Sequence, residues 1–370
     1  MSAPRFSQGL VVGKFSPLHR GHEFLIEQAA QACQHLLVLG YSNPELPGCG
    51  LERRQRWLDA RVNTRYAHVQ AHGRALAIDD TWVQQRCAAM GHSFQPMPPN
   101  DAADATHQHY LAWLLTTVLR NDLQAPLGAL FCSEPWGPAC AQVLSTTLGS
   151  TVRPVLVDVA RTTHPIAASH IRAQPWAHAL HLSPQVWADW LPRVLLLGAE
   201  STGKTTLAQA LAQALHTEWV PEFGREWWVQ RGGQLTPDDL LHIAREQCRL
   251  EDAAALRVAH QGGHVLVCDT SPLTTLGYAE LDHSPAAPAL RPWALRPYAL
   301  TVLCEPDFGL VQDGTRRDLA WQHRQHTWTQ QALAERGVQA LPVRGSVAER
   351  VAAVRAALSA VLLDSRAGSA

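Results

Sequence analysis

"LLLGAESTGKTTLAQAL", residues 195–211, decides the fold of half the chain. Within it, GAESTGKT (198–205) fits G-x-x-x-x-G-K-[ST], follows an apolar run and opens a helical pattern, the context that makes such a match a P-loop. Gly198 and Gly203 let the backbone curl, so that the N–H groups of Glu200, Ser201 and Thr202 between them converge on phosphate oxygens. The helix that begins at the second glycine adds the positive end of its dipole. Lys204 is placed to reach β- and γ-phosphates, the Thr205 hydroxyl to ligate Mg²⁺, and Thr206 stands beside it. Of the 31 Lys+Arg residues, only Lys14 and Lys204 are lysine, which leaves 29 arginines. Both lysines follow apolar runs inside glycine-flanked stretches, where a compact ammonium serves better than a rigid guanidinium fork.

Composition bounds what surrounds this loop. At 370 residues the chain is long enough for two domains, each with its own core. It is 46% hydrophobic and 17% charged, with a net charge of −1, so no global basic field exists to hold nucleic acid. The eight cysteines form no C-x-x-C pair and sit in apolar runs, reading as core residues of a reducing compartment. No apolar stretch approaches about 18 residues, so no membrane span is expected. The N-terminus lacks a signal-peptide core, which points to the cytoplasm. The nineteen histidines are scattered, without HExxH or a Cys/His cluster, so no protein-only metal site is expected. Oligomeric state is left open.

Two α/β patterns follow each other. The first alternates strand candidates at 9–15, 35–42, 127–134 and 151–158 with helical stretches at 21–33, 51–62, 80–90, 104–121 and 137–148. Short strands alternating with longer helices predict right-handed βαβ units and a parallel sheet. A Trp- and Pro-rich stretch near 173–193 reads as a helical connector, and a second series starts at RVLLLG (193–198). We therefore expect two doubly wound parallel-sheet domains, 1–180 and 193–370, joined by a connector at 181–192. In the second, Thr236 with Pro237 starts a long helix, and Ser346 with Glu349 forms a capping box for the last one.

In the second half, GHVLVCDTS puts Asp269 at the end of a buried strand, where such an acid holds Mg²⁺ or accepts a hydroxyl proton; capping the next helix is the structural alternative. VPEFGREWW sets Glu222 and Arg225 beyond another strand, where α/β proteins bind ligands. DGTRRD offers Arg316 and Arg317 either as a charge-carrying lid or as a solvated helix start. Together these point to a small-molecule kinase. In the first half, GKFSPLHRGH (13–22) follows a strand and opens a helix, and His19 and His22, three apart, face one side of its first turn. Donors at a helix N-terminus suit a triphosphate and the charge that builds during transfer at its α-phosphorus.

That stretch resembles the (G)-x-F-x-P-x-H-x-G-H signature of the nucleotidylyltransferase superfamily, with Gly13 and Phe15 in the matching places. The second signature of that superfamily, I-S-x-T-x-x-R, has its counterpart in IAASHIR (166–172): Ser169 takes the Thr position, Arg172 matches, and Ala167 replaces the first Ser. SEPWG (133–137) followed by a P-loop with PEFGREW and DGTRRD further resembles the bifunctional NadR-type family. The resemblance implies an N-terminal nicotinamide mononucleotide adenylyltransferase and a C-terminal ribosylnicotinamide kinase. The kinase would take nicotinamide riboside and ATP with Mg²⁺; the adenylyltransferase would join the mononucleotide to a second ATP, giving NAD and pyrophosphate. Lys14, His19, His22, Ser169 and Arg172 would align the adenylyl transfer; in the kinase Asp269 would be metal contact or base, with Glu222 as the alternative base. Trp82 is offered either as a ring to stack on nicotinamide or as a core residue. Only about a dozen residues precede the first motif glycine, too few for the helix pair of a repressor, so repressor activity is not expected. Two rival readings keep the phosphate sites: a fusion acting on another vitamin-derived substrate, and a kinase with a nucleotide-sensing first domain, in which Ala167 marks a degraded site.

Overall fold

The computed structural model describes residues 4–65, 72–307 and 318–367. The chain forms two compact units, Met1–Val186 and Trp187–Ala370.

The first unit is built on β1 (Phe6–Gly13), β2 (Cys33–Tyr41), β3 (His72–Ile78), β4 (Ala129–Cys132) and β5 (Arg153–Leu156), in the order β3-β2-β1-β4-β5. Every pairing is parallel. Strands covered on both faces need apolar residues at successive positions, and Leu10 and Val11 of β1 and Val38 and Leu39 of β2 are fully buried. Helices α1 (Arg20–Ala32), α2 (Leu51–Arg65), α3 (Asp80–Met90), α4 (Asp104–Trp113), α5 (Gly137–Leu148) and α6 (Ala168–Ala173) complete the unit, with the first residues of α7 (Pro184–Trp190) at its end. The order reverses between β1 and β4, so the loops leaving those two strands open at a topological switch point.

Two elements differ from the sequence expectation. β3 was not anticipated: HGRALAI mixes Gly and Arg into a short apolar run. The helix expected over 104–121 is regular only to Trp113; residues 114–118 form a π-type turn, with Leu119 N–H on the Leu114 carbonyl at 2.8 Å. The Thr116 hydroxyl donates back to the Ala112 carbonyl at 2.9 Å, the kind of side-chain competition that perturbs a helical ladder.

The second unit carries β6 (Arg193–Leu197), β7 (Trp219–Val220), β8 (Leu266–Asp269), β9 (Leu300–Cys304) and β10 (Leu341–Val343), ordered β10-β9-β6-β8-β7 and all parallel. Central β6 has β8 on one side and β9 on the other, so the loop after it also lies at a switch point. α8 (Lys204–Ala214), α9 (Phe223–Gln230), α10 (Pro237–His260), α11 (Pro272–Leu281), α12 (Ala287–Leu290), α13 (Leu319–Glu335) and α14 (Val347–Ala367) cover the sheet. Thr236 and Asp239 close a full capping box at the start of α10, and Ser346 and Glu349 exchange the same bonds at α14. All eight cysteines are buried free thiols. Among the described residues no helix is long and apolar enough to cross a membrane.

Candidate functional site

Each sheet presents a site at the carboxyl ends of its strands. In the first unit a cavity of about 560 Å³ opens beyond β1 and β4. Gly13, Lys14, Phe15, His19, His22, Ser169 and Arg172 all line it. Phe15 takes a left-handed backbone (φ 49°) and buries its ring edge-on against His22, with centroids 5.1 Å apart. His19 is the N-cap of α1, and its Nδ1 accepts the Gly21 N–H at 3.1 Å, which leaves the ring proton on Nε2. A Cβ at Gly21 would stand 3.1 Å from the His19 ring, so glycine permits this cap. The His19 and His22 rings stack 3.8 Å apart.

Electrostatics keeps this pair neutral. Burial lowers the His22 pKa to about 4, with the Arg161 charge adding to it. Burial, His22 and Arg161 push His19 far below the usual imidazole range. The Lys14 ammonium donates to the Asn100 carbonyl at 3.0 Å; burial and then Arg172 lower its pKa, against a pull from Asp101. Arg172 reaches back from α6 to the Ser16 carbonyl, tying the second signature to the first. Ala167, the N-cap of α6, makes no side-chain cap bond. Sequence reasoning missed Arg161, which lines the cavity and pairs with Glu134 at 2.8 Å; a lone arginine in a loop carries no spacing signal. Trp82 does not line the cavity: it packs partly buried against the core of the unit, with the Arg86 guanidinium 5.2 Å from its ring.

In the second unit the loop from Gly198 to Gly203 links β6 to α8. Gly198 has φ 147°, and a Cβ there would lie 2.7 Å from the Cys304 carbonyl oxygen, so no other residue fits without moving β9. Gly203 is the left-handed N-cap of α8 (φ 78°), and Ser201 also has positive φ (59°). The Lys204 ammonium curls over the loop and donates to the carbonyls of Gly198 (3.0 Å) and Ala199 (2.8 Å). Thr202 is fully buried, with its hydroxyl on Ala199; Thr205 and Thr206 are exposed on the first turn of α8.

Thr205 donates to Asp269 Oδ2 at 2.6 Å. Asp269 is 1% exposed, its Oδ1 has no partner, and burial raises its pKa against the pull of Lys204 and Thr205. It does not cap α11; Ser271 does, through the Leu273 N–H. Glu222, just ahead of α9, has its pKa raised by burial, with Lys204 opposing and Asp269 reinforcing; Arg225 stands 3.8 Å away. Glu200 is held from two helices: Tyr278 of α11 donates to its Oε1 at 2.9 Å, and Trp321 of α13 at 3.2 Å. Arg350 of α14, 2% exposed, donates to the Thr202 carbonyl at 2.7 Å and pairs with Asp307. None of these anchors carries a sequence signal, because Tyr278, Trp321 and Arg350 reach the loop from 78, 121 and 148 residues away. Arg316 and Arg317 lie outside the described residues.

Two parallel α/β units, one with a cavity lined by a histidine pair, a lysine and arginines and one with a P-loop backed by a buried aspartate, define a nucleotide-binding protein of two domains. The family model for an AAA domain matches residues 193–350. The trifunctional NAD biosynthesis/regulator protein NadR of Salmonella typhimurium is 28% identical over 225 residues, 59% of this chain and 49% of the relative. Its Escherichia coli counterpart is 27% identical over 224 residues. The chain spans about half the length of these curated relatives. Crystal structures of NadR protein with NAD and AMP-PNP (22% identity, TM-score 0.68) and with NR (21%, 0.71) share the fold. They match 96% and 97% of this chain, and 98% and 97% of their own. The chain is similar to the NadR proteins, and both of its units take the NadR fold.

Proposed function

We propose that the chain makes NAD from nicotinamide riboside in two ATP-dependent steps, phosphorylation in the second unit and adenylyl transfer in the first. The observation that carries this reading is the pairing of two phosphate-directed sites, in one chain, in the order of a fold solved with NAD and AMP-PNP and with NR.

In the kinase step the P-loop N–H groups and Lys204 hold the ATP phosphates, Lys204 exchanging two carbonyl contacts for phosphate oxygens. The unpartnered Asp269 Oδ1, beside the Thr205 hydroxyl, fits Mg²⁺, which would be held by these two residues and by phosphate. Bound there, the ion supplies charge neutralisation on the transferring phosphoryl group. With Asp269 so engaged, Glu222 takes the proton of the riboside 5′-hydroxyl; its raised pKa suits it to hold that proton. In the adenylyl step no protein nucleophile is needed, because the mononucleotide phosphate is itself the attacking anion. Neutral His19 donates Nε2–H and Arg172 supplies positive charge as pyrophosphate departs, while Lys14 steadies the attacking phosphate. ATP is the common co-substrate, and both steps consume one.

The test is one incubation with ATP, Mg²⁺ and nicotinamide riboside, following mononucleotide and NAD by chromatography. Lys204→Ala is expected to stop the first product, with NAD still formed from added mononucleotide; His19→Ala is expected to let mononucleotide accumulate. A chain that leaves the riboside untouched refutes the substrate assignment, and one that stops at the mononucleotide refutes the adenylyl step.

A further inference from the structure

Helix α4 turns one face into the first cavity. Asp104, His107, Gln108 and Leu111, spaced i, i+3, i+4 and i+7, all line it. Gln108 is 8% exposed, yet its amide makes no hydrogen bond among the described residues. Neither amide atom is sealed from solvent, so the small exposed part of the residue is the amide end, open to the cavity. Buried amides in proteins are nearly always satisfied, and an open one at a cavity wall is a vacancy for a ligand group. Beside it the Tyr41 hydroxyl meets His107 Nδ1 at 3.2 Å, with the rings stacked 5.9 Å apart. Burial and the Lys14 charge lower the His107 pKa, with the Pro99 carbonyl and Asp104 opposing.

Charge decides which ligand lies here. Arg161, Arg172 and the stacked histidines gather around the start of α1 and the segment after β5. On the Tyr41 and α4 flank, Lys14 and Asp104 line the cavity and act on His107 with opposite sign. The triphosphate, with several negative charges, belongs on the first side, and the singly phosphorylated acceptor on the second.

We propose that Gln108 determines acceptor specificity by reading the carboxamide of the mononucleotide. Its Nε2–H donates to the carboxamide oxygen, and its Oε1 accepts from the carboxamide NH₂. A carboxylate in that place can only accept, and would set an anion against Gln108 Oε1. The inference rests on the adenylyl step proposed above.

The experiment uses the full chain and Gln108→Leu, with ATP and either nicotinamide mononucleotide or nicotinic acid mononucleotide, plus calorimetric binding of nicotinamide mononucleotide. For Gln108→Leu the KM for nicotinamide mononucleotide is expected to rise about 10- to 100-fold and the preference over the acid to fall by about as much. The KM for ATP should stay within about twofold, which also reports an intact fold. Gln108→Glu, matched in size, should weaken the carboxamide substrate less and still reject the acid. A rise in the KM for ATP instead would assign the amide to adenine, and no change in either KM would leave it without a ligand; both overturn the proposal. If the wild-type chain forms no NAD, calorimetry separates the two readings. Mononucleotide binding that Gln108→Leu weakens keeps the carboxamide contact and sinks the adenylyl step, whereas binding that is absent or unmoved by the substitution sinks the contact as well.

Discussion

Acid should loosen the first unit before any active-site chemistry is considered. His19 and His22 are neutral when folded, with pKa values below the ordinary 6.5, whereas in the unfolded chain each titrates normally. A folded pKa lowered in this way means that the unfolded state binds more protons as pH falls below 6.5. Stability is complete above that pH and declines down to the folded pKa, about 4 for His22. At pH 5.5 the unfolded imidazole is about ten parts protonated to one, while the folded one is still neutral. The loss is RT ln 11, about 1.4 kcal/mol per histidine, and it hardly depends on how far below pH 5.5 the folded value lies. Two such groups remove roughly 3 kcal/mol, or about 6–12 °C of melting temperature for a unit of this size. Urea unfolding of the wild type and of His22→Gln at pH 7.5 and 5.5 isolates the effect, because other titrating groups are common to both. The wild type should lose about 1.4 kcal/mol more than the variant between the two pH values. Equal losses would show that His22 is protonated as easily folded as unfolded, and would refute the desolvated neutral pair.

Two further outcomes follow from contacts that hold the loops in place. Arg350→Met keeps the aliphatic stem but leaves the buried Thr202 carbonyl without its donor, so the second unit should lose about 1–3 kcal/mol in denaturant unfolding. An unchanged midpoint would mean that the arginine is not anchoring the P-loop. Ala167 has the extended backbone of an N-cap (φ −121°, ψ 146°) without a capping side chain; Ala167→Ser should stabilise the first unit by about 1 kcal/mol in thermal unfolding and should not slow NAD formation from the mononucleotide.

The P-loop and the histidine pair were legible because the chemistry of each is local: glycines, lysine and threonine fall within 198–205 and the two histidines within 13–22, and the backbone joining each set fixes its geometry. Asp269 was legible as well, from its place at the end of a buried strand. Illegible were the groups that reach a site from elsewhere. Arg161 and Gln108 each stand alone in sequences that read as an ordinary loop and an ordinary amphipathic helix, and only folding brings them to the same cavity. Glu200 was read as part of the cradle, but its tethers to Tyr278 and Trp321 depend on how α11 and α13 pack. β3 escaped for a different reason. Pairing along β2, from His35 opposite His72 to Tyr41 opposite Ile78, decides its conformation more than its own propensity does.

The two lysines of an otherwise arginine-bearing chain now have a physical account, and it is not the same for both. Lys204 Nζ lies within 3.0 Å of two carbonyls of one tight loop, contacts that suit a compact ammonium with three rotatable donors better than a planar fork. On the proposed reading those carbonyls hold the ammonium where phosphate would arrive, so that binding would exchange one set of oxygens for another. Lys14 makes one carbonyl contact, to Asn100, and its pKa is lowered by burial and by Arg172. A second guanidinium there would bring two delocalised cations together, with Asp101 as the opposing charge. The first lysine is selected by shape and the second by electrostatic crowding. That difference predicts that Lys204→Arg fails by shape and Lys14→Arg by charge, read as lost riboside phosphorylation in the one and lost NAD formation from the mononucleotide in the other.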